Sequence, residues 1–214
     1  MLVIDDDLLT AGRVKTSSQR LALWVLKLIG WRLRFKDLPA ARGIIVVYPH
    51  TSNWDFFIGV LAKWALGLQL HFIAKSSLFE GMTGATIGRF LRYLGGEPVR
   101  RDTSAGVTQR LAATIQAADH YWLAITPEGT RSYRPHWRSG FYHIALAANL
   151  PVGCAYFDFA RKEIALVDYV TMTGDTEVDM AHLGSIFAGH FGKHPELAAP
   201  VMLKSDHAEG DKSA

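Results

Sequence analysis

The sequence predicts an α/β fold, a mixed, largely parallel sheet flanked by helices. Short β-branched and aromatic runs of strand length alternate along the chain with longer segments of helical pattern. The 214 residues are 49% hydrophobic and 20% charged, which suits one well-packed core and excludes a disordered chain. The single cysteine, Cys154, excludes an internal disulfide and a structural zinc site built from cysteines.

The elements follow one another in a regular order. Residues 43–48 (GIIVVY) are typical of a buried strand, and a polar turn follows at 50–53. Residues 54–70 have the length of a helix and are apolar on nearly all sides, so that helix is either buried or faces lipid. The later strands are predicted at 70–75, 121–126, 152–159 and 163–170, and the later helices at 83–94, 105–118 and 141–148.

Three regions are predicted along the chain. Residues 1–36 form an N-terminal amphipathic interfacial segment, residues 37–204 form the α/β domain, and residues 205–214 form a flexible tail. The apolar run at 21–31 is 11 residues long, shorter than the roughly 20 needed to span a bilayer. The first 20 residues contain an acidic triplet at 5–7, which does not fit the positive start of a secretory signal.

The N-terminal segment combines positive charge with tryptophan and leucine. Between residues 8 and 36 there is no acidic residue, and Trp24 and Trp31 flank a leucine-rich stretch. This pattern favours a helix that lies in the headgroup layer of an anionic membrane, which places the protein peripherally or monotopically on the cytoplasmic face of the cell membrane. A first helix packed on its own domain, with a solvated basic face, is the alternative. The basic residues are Arg13, Lys15, Arg20, Lys27, Arg32, Arg34 and Lys36.

The first candidate site is the turn after the first predicted strand, where His50 precedes Asp55 by five positions. On one continuous helix these side chains would lie about 140° apart. If His50 ends the strand and Asn53 caps the following helix, the turn can bring Asp55 back to the ring. A carboxylate on one ring nitrogen leaves the other nitrogen as a base that can act on a substrate hydroxyl. A polar turn with a satisfied histidine remains the alternative.

Two further turns supply glycine and arginine. Residues 126–132 (TPEGTRS) follow a predicted strand, and residues 95–101 (GGEPVRR) end in Arg101. Ligands of open α/β sheets lie at the carboxyl ends of strands, and arginine suits a two-bond grip on phosphate. The alternative is a set of glycine-rich connections with solvated arginines.

In this order, the segments 50–55, 95–101, 127–132 and 150–156 resemble the four sequence blocks of the glycerolphosphate and lysophosphatidic-acid acyltransferase family. The resemblance covers about residues 43–160 and implies acyl transfer from a thioester, acyl-CoA or acyl carrier protein, to the free hydroxyl of a lysophospholipid. By this resemblance His50 is the base and Asp55 its orienting partner. Arg101 holds the acceptor phosphate, and the residues that help to bind the acceptor are Glu128, Gly129, Thr130 and Arg131.

The most favoured product is phosphatidic acid, formed from 1-acyl-glycerol-3-phosphate. The alternatives are the same chemistry on another lysolipid, hydrolysis of the thioester, and a non-catalytic module that binds anionic lipid. Because the thiol leaves readily, no metal or other cofactor is expected. The net charge of only +3 does not indicate a nucleic-acid partner. The expected partners are the acyl donor, the lysophospholipid and a membrane surface.

Overall fold

The protein, described by a computed structural model over residues 15–81, 84–99 and 104–204, contains one seven-stranded sheet. The order of the strands across the sheet is β1-β7-β6-β2-β5-β3-β4. The strands are β1 (Arg32–Phe35), β2 (Arg42–Val47), β3 (Leu70–Lys75), β4 (Gly96–Val99), β5 (Tyr121–Ile125), β6 (Val152–Asp158) and β7 (Glu163–Val170).

Helices cover both faces of this sheet. The α-helices are α1 (Ser17–Leu28), α2 (Trp54–Leu66), α3 (Arg89–Tyr93), α4 (Ser104–Ala117), α5 (Gly140–Ala148) and α6 (Thr176–Phe187). The described residues also contain two short 3-10 turns (Ser76–Phe79 and Pro195–Leu197) and a π-helical turn (Gly84–Gly88).

The topology brings several strand ends to one edge of the sheet. Strands β6, β2, β5, β3 and β4 run parallel to one another, while β7 is antiparallel to β6 and parallel to β1. The carboxyl ends of β2 and β5 are therefore neighbours. His50 follows β2 and the 126–132 turn follows β5, so the fold places these two sequence motifs side by side.

Successive side chains of β2 point to opposite faces of the sheet, and a hydrophobic core lies on each face. Ile44 and Val46 are fully buried on the face covered by α4, α5 and α6. Ile45 and Val47 point to the opposite face, where α1 packs on α2. Both faces of β2 are apolar because helices cover the sheet on both sides, which explains why its sequence is a continuous apolar run.

The predicted fold class is confirmed, with local differences. The 54–70 helix ends at Leu66 because Gly67 adopts a left-handed conformation (φ +64°) that closes the last turn. The predicted 83–94 helix is a π-helical turn followed by the short α3. Strands β1 and β4 and helix α6 are additional elements. The predicted tail at 205–214 lies outside the described residues.

The N-terminal segment is joined to the domain more closely than its predicted boundary implies. Strand β1 falls within residues 1–36, yet it pairs with β7 in the sheet. Leu26 and Trp31 are buried in the same cluster as α2. In the described parts of the chain, no helix is both long and apolar enough to cross a membrane.

A glycine in β2 limits what this strand tolerates. A Cβ atom added at Gly43 would lie 2.4 Å from the ring of Trp122, which is fully buried on β5. We expect Gly43→Ala to lower the free energy of unfolding by about 1–3 kcal/mol, because the indole cannot move without displacing its neighbours. Chemical denaturation of the two proteins measures this difference. An unchanged midpoint would show that the indole has room to shift.

Candidate active site

His50 and Asp55 meet at the carboxyl edge of the sheet. The Nδ1 atom of His50 lies 3.0 Å from Oδ2 of Asp55. The Asp55 side chain is buried and the His50 side chain is 14% exposed, so one ring edge still faces outward. The Nδ1–H direction is not aligned with the carboxylate for an ideal hydrogen bond. In enzymes, hydrogen bonds between catalytic groups are often loose in the free protein and tighten when substrate binds.

The turn between β2 and α2 produces this contact. Helix α2 begins at Trp54, which places Asp55 in its first turn, where a carboxylate is favoured. The backbone N–H of Ser52 donates to Asp55 Oδ2 at 3.0 Å, and Ser52 Oγ accepts from the N–H of Trp54 at 3.2 Å. Asn53 occupies the N-cap position as predicted, but its side chain makes no capping hydrogen bond. Ser52 Oγ therefore accepts one N–H group at the helix start that the Asn53 side chain does not.

The side chain of Glu128 is hydrogen-bonded to the backbone of His50. This side chain is buried, Oε2 accepts the backbone N–H of His50 at 2.6 Å, and Oε1 accepts that of Ala199 at 3.1 Å. Burial raises the pKa of the Glu128 carboxyl, while these two hydrogen bonds act in the opposite direction. Both oxygens are thus engaged with the backbone, and the side chain does not line the cavity beside His50. The structure gives Glu128 the backbone N–H groups of His50 and Ala199 as partners, and its contact with an acceptor stays a prediction.

The other residues of the Pro-Glu-Gly-Thr-Arg turn reach the cavity. Gly129 has φ +64°, and a Cβ atom there would lie 2.7 Å from Nε of Arg138, so the turn requires glycine. Gly129, Thr130 and Arg131 line the same cavity as His50. The structure therefore brings these three predicted residues together with the dyad. Arg101 lies outside the described residues.

An apolar cavity of about 800 Å³ extends from this site between α2 and the sheet. Its lining includes all of β3, from Lys75 to Leu70, a length of roughly 17 Å at the usual strand rise. Four small residues are part of this lining, namely Gly59, Ala74, Ala124 and Ala155. An apolar space of this size beside a few polar groups is typical of a small-molecule site.

The structure also places at the site residues that the sequence motifs do not single out. Lys75, at the end of β3, is exposed and lines the cavity together with Arg131. Thr51 accepts the backbone N–H of His194 at 3.1 Å. Burial, and secondarily the charge of Glu128, raise the pKa of Tyr48 to about 12, and its hydroxyl donates to the carbonyl of Ala199 at 2.8 Å. In the sequence, the only feature that suggests a role for Tyr48 and Thr51 at this site is that they lie close to His50 along the chain.

Comparisons with known proteins show the fold and the family of the chain. The crystal structure of the 1-acyl-sn-glycerophosphate (LPA) acyltransferase PlsC from Thermotoga maritima superimposes with a TM-score of 0.53 at 16% sequence identity. The match covers 78% of this chain and 74% of that one, and at this identity it shows a shared fold. No curated protein sequence matches the chain significantly. The sequence model of the acyltransferase family matches residues 32–157, more than half of the chain. The protein is therefore an acyltransferase and belongs to that family, as the four sequence blocks predict.

Proposed function

We propose that the protein transfers a fatty acyl group from a thioester, acyl-CoA or acyl carrier protein, to the free hydroxyl of a lysophospholipid. The leading acceptor is 1-acyl-glycerol-3-phosphate, which gives phosphatidic acid. The observation that carries this proposal is the His50–Asp55 pair, 3.0 Å apart at the head of an apolar cavity that cationic side chains also line.

His50 acts as the general base. With Nδ1 held by Asp55, the other ring nitrogen removes the proton of the acceptor hydroxyl as its oxygen attacks the thioester carbonyl. A carbon–oxygen bond forms and the carbon–sulfur bond breaks. The imidazolium returns its proton to the leaving thiolate, so the enzyme ends in its starting state. This step contributes about 10²–10⁴-fold to the rate.

The rest of the site suits lipid substrates. The cavity beneath α2 is large and apolar enough to hold an acyl chain. Lys75 and Arg131 provide positive charge at the same cavity, where an anionic headgroup would place its phosphate. Arg101 remains a predicted further ligand of this phosphate. Glu128 positions His50 through the backbone in this proposal.

A panel assay tests the proposed reaction. Purified protein is offered several lysophospholipids with both acyl-CoA and acyl carrier protein donors, and mass spectrometry identifies the products. We expect a diacyl phospholipid, formed fastest from 1-acyl-glycerol-3-phosphate. Preference for another lysolipid would change the acceptor only. Free fatty acid, released at one rate with and without acceptor, would indicate a hydrolase and contradict the proposal.

We further propose that the enzyme acts at the surface of a membrane. Helices α1 and α2 pack on each other and leave large apolar side chains exposed. Arg20 and Lys27 of α1 are exposed, and Asp55, which is buried, is the only acid of the two helices. This two-helix face therefore has the chemistry of an interfacial surface for anionic lipid. It comprises Leu21, Trp24, Leu28, Trp54, Phe57 and Trp64.

Removing two apolar side chains tests the membrane contact. We expect Trp24→Ser with Leu28→Ser to weaken binding to vesicles of anionic phospholipid by at least about tenfold, because both side chains would leave the lipid. Both are more than half exposed, so their loss should not disturb the core. The matched control is Leu146→Ser with Val178→Ser, two exposed positions on helices of the opposite layer. If the two double variants sediment equally with vesicles, the two-helix face does not contact the membrane.

A further inference from the structure

The chain segment 189–203 runs along the catalytic edge of the sheet and lies wholly outside the family match at 32–157. We call this segment the strap. Its first part is fixed to the β6–β7 connection: Arg161 donates to the carbonyl of Gly189 at 2.8 Å, and the N–H of Phe159 donates to the carbonyl of Phe191 at 2.9 Å. Nδ1 of His190 lies 3.2 Å from the buried carboxylate of Asp158. One end of the strap is thus held by several independent contacts.

The middle of the strap contacts the turn that carries His50. The N–H of His194 donates to Thr51 Oγ1 at 3.1 Å. Gly192 packs so closely on this side chain that an added Cβ atom would lie 2.5 Å from Thr51 Oγ1. Thr51 is the residue directly after the proposed base, so its position fixes one side of the His50 backbone.

The last part of the strap, from Ala199 onward, fixes the other side of the His50 backbone. The N–H of Ala199 donates to one oxygen of Glu128, whose second oxygen accepts the N–H of His50. The hydroxyl of Tyr48 donates to the carbonyl of Ala199 at 2.8 Å. Beyond this point, the N–H of Trp137 donates to the carbonyl of Met202 at 2.7 Å. The His50 backbone is therefore held from both flanks by one segment of chain.

We propose that the strap is a positioning device for the catalytic base, with Thr51 and Glu128 as the residues through which it acts. A base that is displaced by even an ångström loses much of its rate advantage, since proton transfer requires hydrogen-bond geometry. The strap touches neither the reacting atoms nor the acyl cavity in this proposal. It sets the turnover rate and leaves binding of the donor unchanged. This proposal rests on the proposed function.

The test removes one strap contact without changing the shape of the side chain. Thr51→Val deletes the oxygen that accepts the His194 N–H, and Thr51→Ser retains it. We expect Thr51→Val to lower kcat for acyl transfer about tenfold while KM for the donor stays within about twofold. We expect Thr51→Ser to restore most of the rate. Hydrogen exchange at the His50 amide should be faster in Thr51→Val, and this readout does not depend on activity.

The control separates positioning from simple loss of stability. Asp175 caps the start of α6 by accepting the N–H groups of Glu177 and Val178, so Asp175→Ala destabilises the fold at a distance from the strap. We expect unchanged kcat per folded molecule in that variant. If Thr51→Val behaves like Asp175→Ala in both kcat and exchange, the strap has no positioning role. If Thr51→Val does not fold, Gly192→Ala, which drives a methyl group against Thr51, addresses the same contact with the same two readouts. A wild-type protein without any transfer activity would instead refute the proposed function.

Discussion

Replacing His50 by alanine is expected to lower acyl transfer by about 10²–10⁴-fold while the protein stays folded. The reason is chemical: an alcohol is a poor nucleophile at neutral pH, and the imidazole is the base nearest to the buried Asp55 carboxylate. Steady-state assays with the acyl donor and the preferred lysophospholipid measure the effect. Circular dichroism and thermal unfolding check that the fold persists.

The matched control is His120→Ala, since this histidine is exposed and lies in the connection between α4 and β5. That variant should keep the activity of the wild type. Loss of the His50 imidazole leaves the buried Asp55 carboxylate with the N–H of Ser52 but without its contact to His50, so a modest fall in stability is also expected. If His50→Ala and His120→Ala turn over at the same rate, His50 is not the base.

Replacing Ala124 by phenylalanine is expected to restrict the enzyme to short acyl donors. Ala124 lines the cavity from β5, where it is paired with Ile45 on one side and Phe72 on the other. A ring at this position would fill the space where a long chain has to pass. We expect kcat/KM for long-chain donors to fall at least about 10²-fold, because several methylene groups would lose their burial, and the value for short-chain donors to change little.

A series of donors of increasing chain length measures this change in specificity. Ala147→Phe, at an exposed position on α5, is the control for the effect of an added ring. Equal losses for all chain lengths would mean that the cavity does not hold the acyl chain. A variant of Ala124 with unchanged specificity would contradict the assignment in the same way.

The sequence predicts strands β2, β5 and β6 well because each is apolar over most of its length. Strand β1 is harder to recognise, since it has only four residues, two of them arginines, and lies at an edge of the sheet. Helix α6 is not predicted from the sequence, although Met180, Leu183 and Phe187 form a buried stripe at helical spacing. The helix as a whole is only weakly amphipathic, so its sequence pattern does not clearly predict a helix.

The site divides in a similar way. The five-residue spacing of His50 and Asp55 indicates that they pair, because a strand–turn–helix connection can bring the two side chains into contact. The role of Glu128 is not readable from its motif, since its partners are backbone N–H groups, which every residue except proline carries. The role of the strap cannot be predicted from the sequence for the same reason. Its contacts with this edge of the sheet are largely made by main-chain atoms. Tertiary packing alone decides which backbone groups meet.

The most direct test of the proposed chemistry follows release of thiol from the acyl donor by the wild-type enzyme and by His50→Ala, each with and without lysophospholipid. We expect the wild type to release thiol quickly only when acceptor is present, with one phospholipid formed for each thiol. The variant should release almost none under either condition. Thiol release that depends on acceptor and continues at the wild-type rate without the His50 imidazole would contradict the proposed base and, with it, the mechanism derived from this site.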